Sequence, residues 1–233
     1  MNNHQIDQSN TFKYLGLQID NDLSWKTHVH KLIVKIQKML YVLHRCSGKS
    51  NRNKLIMLFR TYIYPHFLYG IQLYMFCSSS LRAKLEALFR RCCRLVLRDV
   101  ELFPSIDNVS LYCLLDMLPL RLLFQLTSAI TLFKILILNQ IPALHTLFTP
   151  IPQTSRNSRL IPDNIIVLRL PTVLTESSRH SFAYWGAKLW NSVPANIRCC
   201  NSLSSFTQLY RAYLTSRMSI VSFDHYDLLD FVY

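Results

Sequence analysis

Closely spaced carboxylates are the first thing to look for in a chain that might hold divalent metals, and this sequence offers Asp20 and Asp22 in the run IDND, and Asp227 and Asp230 near its end. Two-metal phosphoryl chemistry needs such groups within a few ångströms of each other. Asp20 and Asp22 instead share their run with asparagine, the ordinary composition of a turn, so both read as turn-forming and helix-capping residues. His28 and His30 are two positions apart, which on a helix points them about 200° from each other, so they cannot share one ion unless the helix has not yet begun there. Cys92-Cys93 and Cys199-Cys200 are adjacent pairs rather than the CxxC of a zinc site. There is no GxSxG elbow, and Gly16, Gly48, Gly70 and Gly186, the four glycines of the chain, cannot build a phosphate-cradling loop. These residues assign no catalytic group, metal ligand or cofactor.

What the chain does concentrate is positive charge. It has 233 residues, 26 Lys and Arg against 13 Asp and Glu, a net charge of +13, and 50% hydrophobic residues, which excludes disorder. Residues 26–98 hold fifteen Lys and Arg and a single acid, Glu86, while the end of the chain, with Asp224, Asp227 and Asp230, is mildly acidic. Cations interleaved with aromatic side chains are the combination that grips phosphates and stacks bases. Nucleic acid or an anionic membrane face are the partners such a charge attracts. Seven cysteines, an odd number, and no apolar stretch in the first twenty residues give the expectation of a reducing, intracellular setting, nucleus or cytoplasm, without secretion.

The elements that must carry these residues are mostly helices. Phe12, Tyr14, Leu17 and Ile19 alternate around Leu15-Gly16 and predict a short half-buried strand or hairpin, followed by a turn at Asn21-Asp22. Ser24 is the expected cap of a helix whose apolar positions, Trp25, Val29, Leu32, Ile33, Ile36, Leu40 and Leu43, recur every three or four residues. Lys31, Lys35, Lys38 and Arg45 then fall in a stripe on the opposite side. Residues 53–76 form a second helical run, rich in aromatics (Phe59, Tyr62, Tyr64, Phe67, Tyr69, Tyr74, Phe76) and broken or kinked at Pro65. A helix over residues 80–98 buries Leu81, Leu85, Leu88, Cys92, Leu95 and Val96 and turns Arg90, Arg94 and Arg98 outward, flanked by Lys84 and Arg91.

Residues 109–139 read as a leucine-rich helical run. Within it 122–138 is the most hydrophobic stretch, but Arg121, Gln125 and Lys134 interrupt it, which favours a buried core helix over the alternative of a membrane span. Residues 143–178 look extended, with one β-like run at 165–170 that could seat a small hairpin, and helices are expected at 182–190 and 204–217. The fold class is therefore mainly α. The expected segments are a strand-like start (1–22), a basic helical domain (23–100), an apolar helical core (101–142), a linker (143–180), C-terminal helices (181–217) and an acidic tail (218–233).

Five short motifs occur in an informative order: FKYLGLQID at 12–20, LSWKTHV at 23–29, YIYPHFLYG at 62–70, LFRRCCRLV at 88–96 and YWGAKLWNSVP at 184–194. Together they resemble the C-terminal part of reverse transcriptases of non-LTR (LINE-like) retrotransposons, over about residues 10 to 217. The resemblance implies that Tyr14, Leu15 and Gly16 match the primer-grip turn at the end of the palm, and that the helices after it match the thumb, which closes over template and primer through backbone contacts. Tyr74 stands where that family commonly has tryptophan. Nothing in the sequence matches the fingers, the paired metal-binding aspartates, a zinc knuckle or an endonuclease. The expectation is a truncated chain, inactive as a polymerase in isolation, whose thumb binds RNA, DNA or their hybrid with little sequence preference through Lys31, Lys35, Lys38, Arg45, Arg90, Arg91, Arg94 and Arg98. A separate palm could then complete it. The alternative is a structural remnant with no activity of its own.

Overall fold

The first motif folds back on itself. In the computed structural model, which describes residues 9–48, 51–97, 106–151 and 165–218, strands β1 (Thr11–Tyr14) and β2 (Leu17–Asp20) pair antiparallel, with Phe12 opposite Ile19. Leu15 (φ 46°) and Gly16 (φ 85°) both take positive φ, the two-residue turn that matches strand twist. The half-buried reading fits only β2, because every residue of β1 is exposed.

Helix α1 (Lys26–Ser47) buries Val29, Leu32, Ile36, Leu40 and Leu43 as its period requires. Its start differs from the expectation. Ser24 does not cap it; Trp25 occupies the cap position with a left-handed backbone, and the Asp20 carboxylate reaches over from the end of β2 to accept the Thr27 N–H at 3.2 Å. The same Oδ2 accepts the Ser24 hydroxyl, also at 3.2 Å, and Asp22 Oδ1 accepts the Ser24 N–H at 3.0 Å. His28 is buried beside Tyr74, with ring centroids 5.6 Å apart, and Nδ1 faces the Gln18 N–H at 3.4 Å, whereas His30 is exposed.

The break expected at Pro65 is spread over a longer stretch. After α2 (Arg52–Leu58) the chain makes a wide π turn, Phe59–Ile63, before α3 (Tyr64–Leu68) and α4 (Ile71–Tyr74). Proline has no N–H and crowds the carbonyl four residues back; widening the turn so that Tyr64 N–H bonds the Phe59 carbonyl relieves both. Helix α5 (Ser79–Val96) places Phe89 against Phe59, Tyr64, Phe67 and Tyr112, at centroid distances from 5.0 to 6.2 Å. The leucine-rich run of 109–139 is two helices, α6 (Asn108–Leu114) and α7 (Leu120–Leu136), parted where Asp116 takes φ 49°.

The chain divides into two compact units, Met1–Leu120 and Arg121–Tyr233. In the second, single-turn helices α8 (Pro142–His145) and α9 (Glu176–Arg179) precede α10 (Phe182–Ser192), α11 (Ala195–Arg198) and α12 (Leu203–Ser216). The β-like run makes one antiparallel bridge, Pro150 to Leu168, rather than a hairpin among the described residues. Among those residues no helix is long and apolar enough to cross a membrane. The acidic tail beyond residue 218 and residues 98–105 and 152–164 lie outside the described residues.

Gly70 joins the hairpin to the helices. Its φ is +72°, and a Cβ there would stand 2.7 Å from Leu17 Cδ2, so Gly70→Ala should lower unfolding free energy by about 1–2 kcal/mol. Gly48, with φ −72° and open space around its Cα, serves as the control: Gly48→Ala should leave stability unchanged or slightly raised. Urea denaturation of both variants checks the contrast; equal losses would contradict it.

Candidate nucleic-acid interface

Helix α1 is rotated by its core face so that Lys31, Lys35, Lys38 and Arg45 are all exposed. Lys31, Lys35 and Lys38, with His30 and Val34, line a shallow depression of about 390 Å³. Two of these lysines are steered by neighbours. Lys31 Nζ donates to Gln18 Oε1 on β2 at 2.8 Å, and Lys35 Nζ lies 3.4 Å from His66 Nδ1. Partial burial, reinforced by the Lys35 charge, holds His66 below its ordinary pKa, which keeps the imidazole nitrogen neutral and able to accept.

Helices α1 and α5 pack side by side, and between them runs a groove of about 690 Å³ lined by Gln37, Leu40, Tyr41 and His44 from the first helix and Arg91, Arg94 and Leu95 from the second. Tyr41 is 63% exposed, and the Arg45 guanidinium lies 6.0 Å from its ring centroid. At 100° per residue the groove wall of α1 sits about 135° around the helix from the lysine stripe. The two cationic surfaces are thus adjacent rather than coplanar, and Arg45 on Tyr41 lies between them.

The arginines of α5 part company. Arg91 and Arg94 face the groove, with Arg94 Nη2 also donating to Asn108 Oδ1 at 3.2 Å. Arg90 is partly buried and acts on the Glu86 carboxylate instead. Arg98 lies outside the described residues. Tyr14, Leu15 and Gly16 form the exposed hairpin turn, which the Tyr69 hydroxyl fastens by donating to the Leu15 carbonyl. Of the aromatics in 53–76, Phe59, Phe67 and Tyr74 are fully buried and have no face to offer a base. Tyr41 and His44, the groove's ring-bearing residues, were not among the sequence-derived candidates; the i, i+4, i+7 spacing of Gln37, Tyr41 and His44 was the signal for them.

Glu86 is the single acid of the basic region. It accepts the Tyr112 hydroxyl at 2.9 Å and the Leu120 N–H, the first residue of α7, at 3.2 Å. Its charge therefore serves a helix start and not the groove. Among the described residues no three His, Cys, Asp or Glu side chains are grouped to hold a metal ion.

Comparison with known proteins finds no family model, no curated protein and no solved structure that matches the chain.

Burial raises the Glu86 pKa above the ordinary 4.5, against the opposing pull of Tyr112, Arg90 and the Leu120 amide. The folded state then binds more protons than the unfolded one, so this group's contribution to stability falls as pH rises from about 4.5 through the raised value. Relative to Glu86→Gln, the wild type should lose stability over that interval; melting temperatures of the pair across pH 4 to 8 test it, and parallel curves would show that Glu86 does not titrate there.

Proposed function

We propose that the chain binds nucleic acid through the α1–α5 face, holding phosphates with little sequence preference, as the basic thumb-like part of a reverse-transcriptase-derived protein of the non-LTR type. The observation that carries this reading is the convergence of Arg91 and Arg94 with Tyr41 on one groove, with Arg45 against the Tyr41 ring at its edge and the exposed Lys31, Lys35 and Lys38 further around α1. Cations arranged along a ridge and a groove can follow a phosphate backbone, and their contacts position a strand without reading its bases.

The reading is for binding and not for polymerisation by this chain alone. Asp20, Asp22, Glu86 and Asp107 each direct at least one oxygen at backbone amides or hydroxyls, in the manner of turn and helix-start residues rather than of the paired arrangement that holds two divalent ions. All seven cysteines are free, which supports the intracellular reading.

A second reading, a structural remnant with no activity, has its own support in the hairpin: Phe12 is 63%, Tyr14 57% and Leu15 72% exposed, the kind of apolar strand surface that self-associates. A salt titration separates the two. Contacts to about five phosphates of a duplex give a slope of log affinity against log salt near −4 to −5, and Arg91→Glu with Arg94→Glu should bring that slope toward zero by about 2 while weakening all sequences alike. Binding that is absent or insensitive to salt, from a chain that sediments as aggregates, would decide for the remnant.

A further inference from the structure

The α1–α5 groove has a feature that phosphate gripping alone does not require. Tyr41 stands on its wall with most of its ring in solvent, among the exposed Gln37, Lys38, Val42, His44 and Arg45 of the same helix. Arg45 sits against the ring, and Arg91 and Arg94 line the same groove from the other helix. A planar ring flanked by guanidinium groups is a platform for another planar ring that carries a negative charge beside it. A nucleotide has that make-up: the base stacks on the aromatic face, the guanidinium adds a cation–π contribution, and the adjoining phosphate meets the arginines.

Access to a base face decides which form of nucleic acid Tyr41 can recognise. In a duplex the bases are stacked on each other and their faces are closed to a side chain, so a duplex meets the groove arginines and the lysine ridge through its phosphates and offers Tyr41 no base face. We infer that the groove is a single-strand site in which Tyr41 stacks on an unpaired base while Arg91 and Arg94 hold its phosphates. The inference rests on the nucleic-acid reading above and adds to it the substrate form and the residue that recognises it.

The test uses the full chain and fluorescence anisotropy with three probes of equal length: a labelled single strand, the duplex of the same sequence, and an abasic single strand that keeps the phosphates and lacks the bases. Tyr41→Ala should weaken the ordinary single strand about 5- to 150-fold, the range of one base–aromatic stack, and leave the duplex and the abasic strand unchanged. Tyr41→Phe and Tyr41→Trp should bind as the wild type does, since the face and not the hydroxyl is used. Tyr41 is a surface residue, and an unchanged circular dichroism spectrum and melting temperature would confirm that the alanine variant folds.

Several results would overturn the inference. One is an abasic strand that binds the wild type as tightly as the ordinary one; another is Tyr41→Ala weakening duplex and single strand equally. If Tyr41→Ala has no effect while Arg91→Glu with Arg94→Glu abolishes salt-dependent binding, the stacking site is refuted and the phosphate-binding reading stands. If the wild type binds none of the three probes, or binds only vesicles of anionic phospholipid, both fall together.

Discussion

Carboxylates in this chain are scarce, and the helix starts claim them. The first N–H groups of a helix have no partner within it and carry the positive end of its dipole, so an acid placed there is stabilising. Asp20 serves Thr27 at the start of α1, Asp107 serves Val109 and Ser110 at the start of α6, and Glu86 serves Leu120 at the start of α7. Two of these acids also join segments whose positions matter for the cationic face: Asp20 ties the hairpin to α1, and Glu86 ties α5 to the chain that follows it. The consequence is electrostatic. With these acids held at helix starts, the groove residues Arg91 and Arg94 and the exposed Lys38 keep their charge directed at solvent, which is the condition for attracting a polyanion.

Rotation of α5 about its own axis is the second determinant of that face. Phe89 is fully buried and packs edge-on to Phe67 at 5.0 Å and stacked on Tyr112 at 5.9 Å. Aromatic pairs of this kind favour particular angles, so they fix orientation more tightly than aliphatic packing does. With Phe89 inward, positions 91 and 94 turn toward α1 and position 90 toward Glu86. Arginines that look equivalent along the sequence therefore have different surroundings: two border a groove, and one helps to lower the cost of a buried carboxylate.

Periodicity made α1, α5, α10 and α12 legible, because each buries a continuous stripe whose spacing matches the helical turn. It failed where apolar residues are too dense to show a phase. The run from residue 109 to 139 hid the interruption at Asp116 for that reason. The π turn before Pro65 was hidden too, since proline announces a disturbance but not how the chain absorbs it. For the site, the cationic stripe of α1 was readable and the groove was not: a groove is a property of two helices, and only packing sets which of Arg90, Arg91 and Arg94 faces the partner. The aromatic load of 53–76 divides between two roles: Phe59, Phe67 and Tyr74 are core, while Tyr62 and Tyr69 are exposed, a split the composition of the stretch does not show.

The WNSVP motif illustrates how a recognisable string can be structural. Residues 165–168 run extended beside α10, and the Asn191 side chain meets Leu168 on both sides of its peptide, accepting its N–H at 3.0 Å and donating to its carbonyl at 2.8 Å. Trp190 Nε1 donates to the Ile166 carbonyl at 3.0 Å, and Arg198 Nη1 donates to the same oxygen at 3.0 Å. Side chains here supply the bonds that a neighbouring strand gives in a sheet, which lets a lone extended segment pack against a helix with the Ile166 carbonyl and both peptide groups of Leu168 partnered. The bulk of Trp190, fully buried and stacked on Phe206 with centroids 6.0 Å apart, then covers those bonds from water. Trp190 and Asn191 are accordingly a clamp on the chain itself. Their chemistry is complete within the second unit, and the nucleic-acid reading draws on the first unit alone.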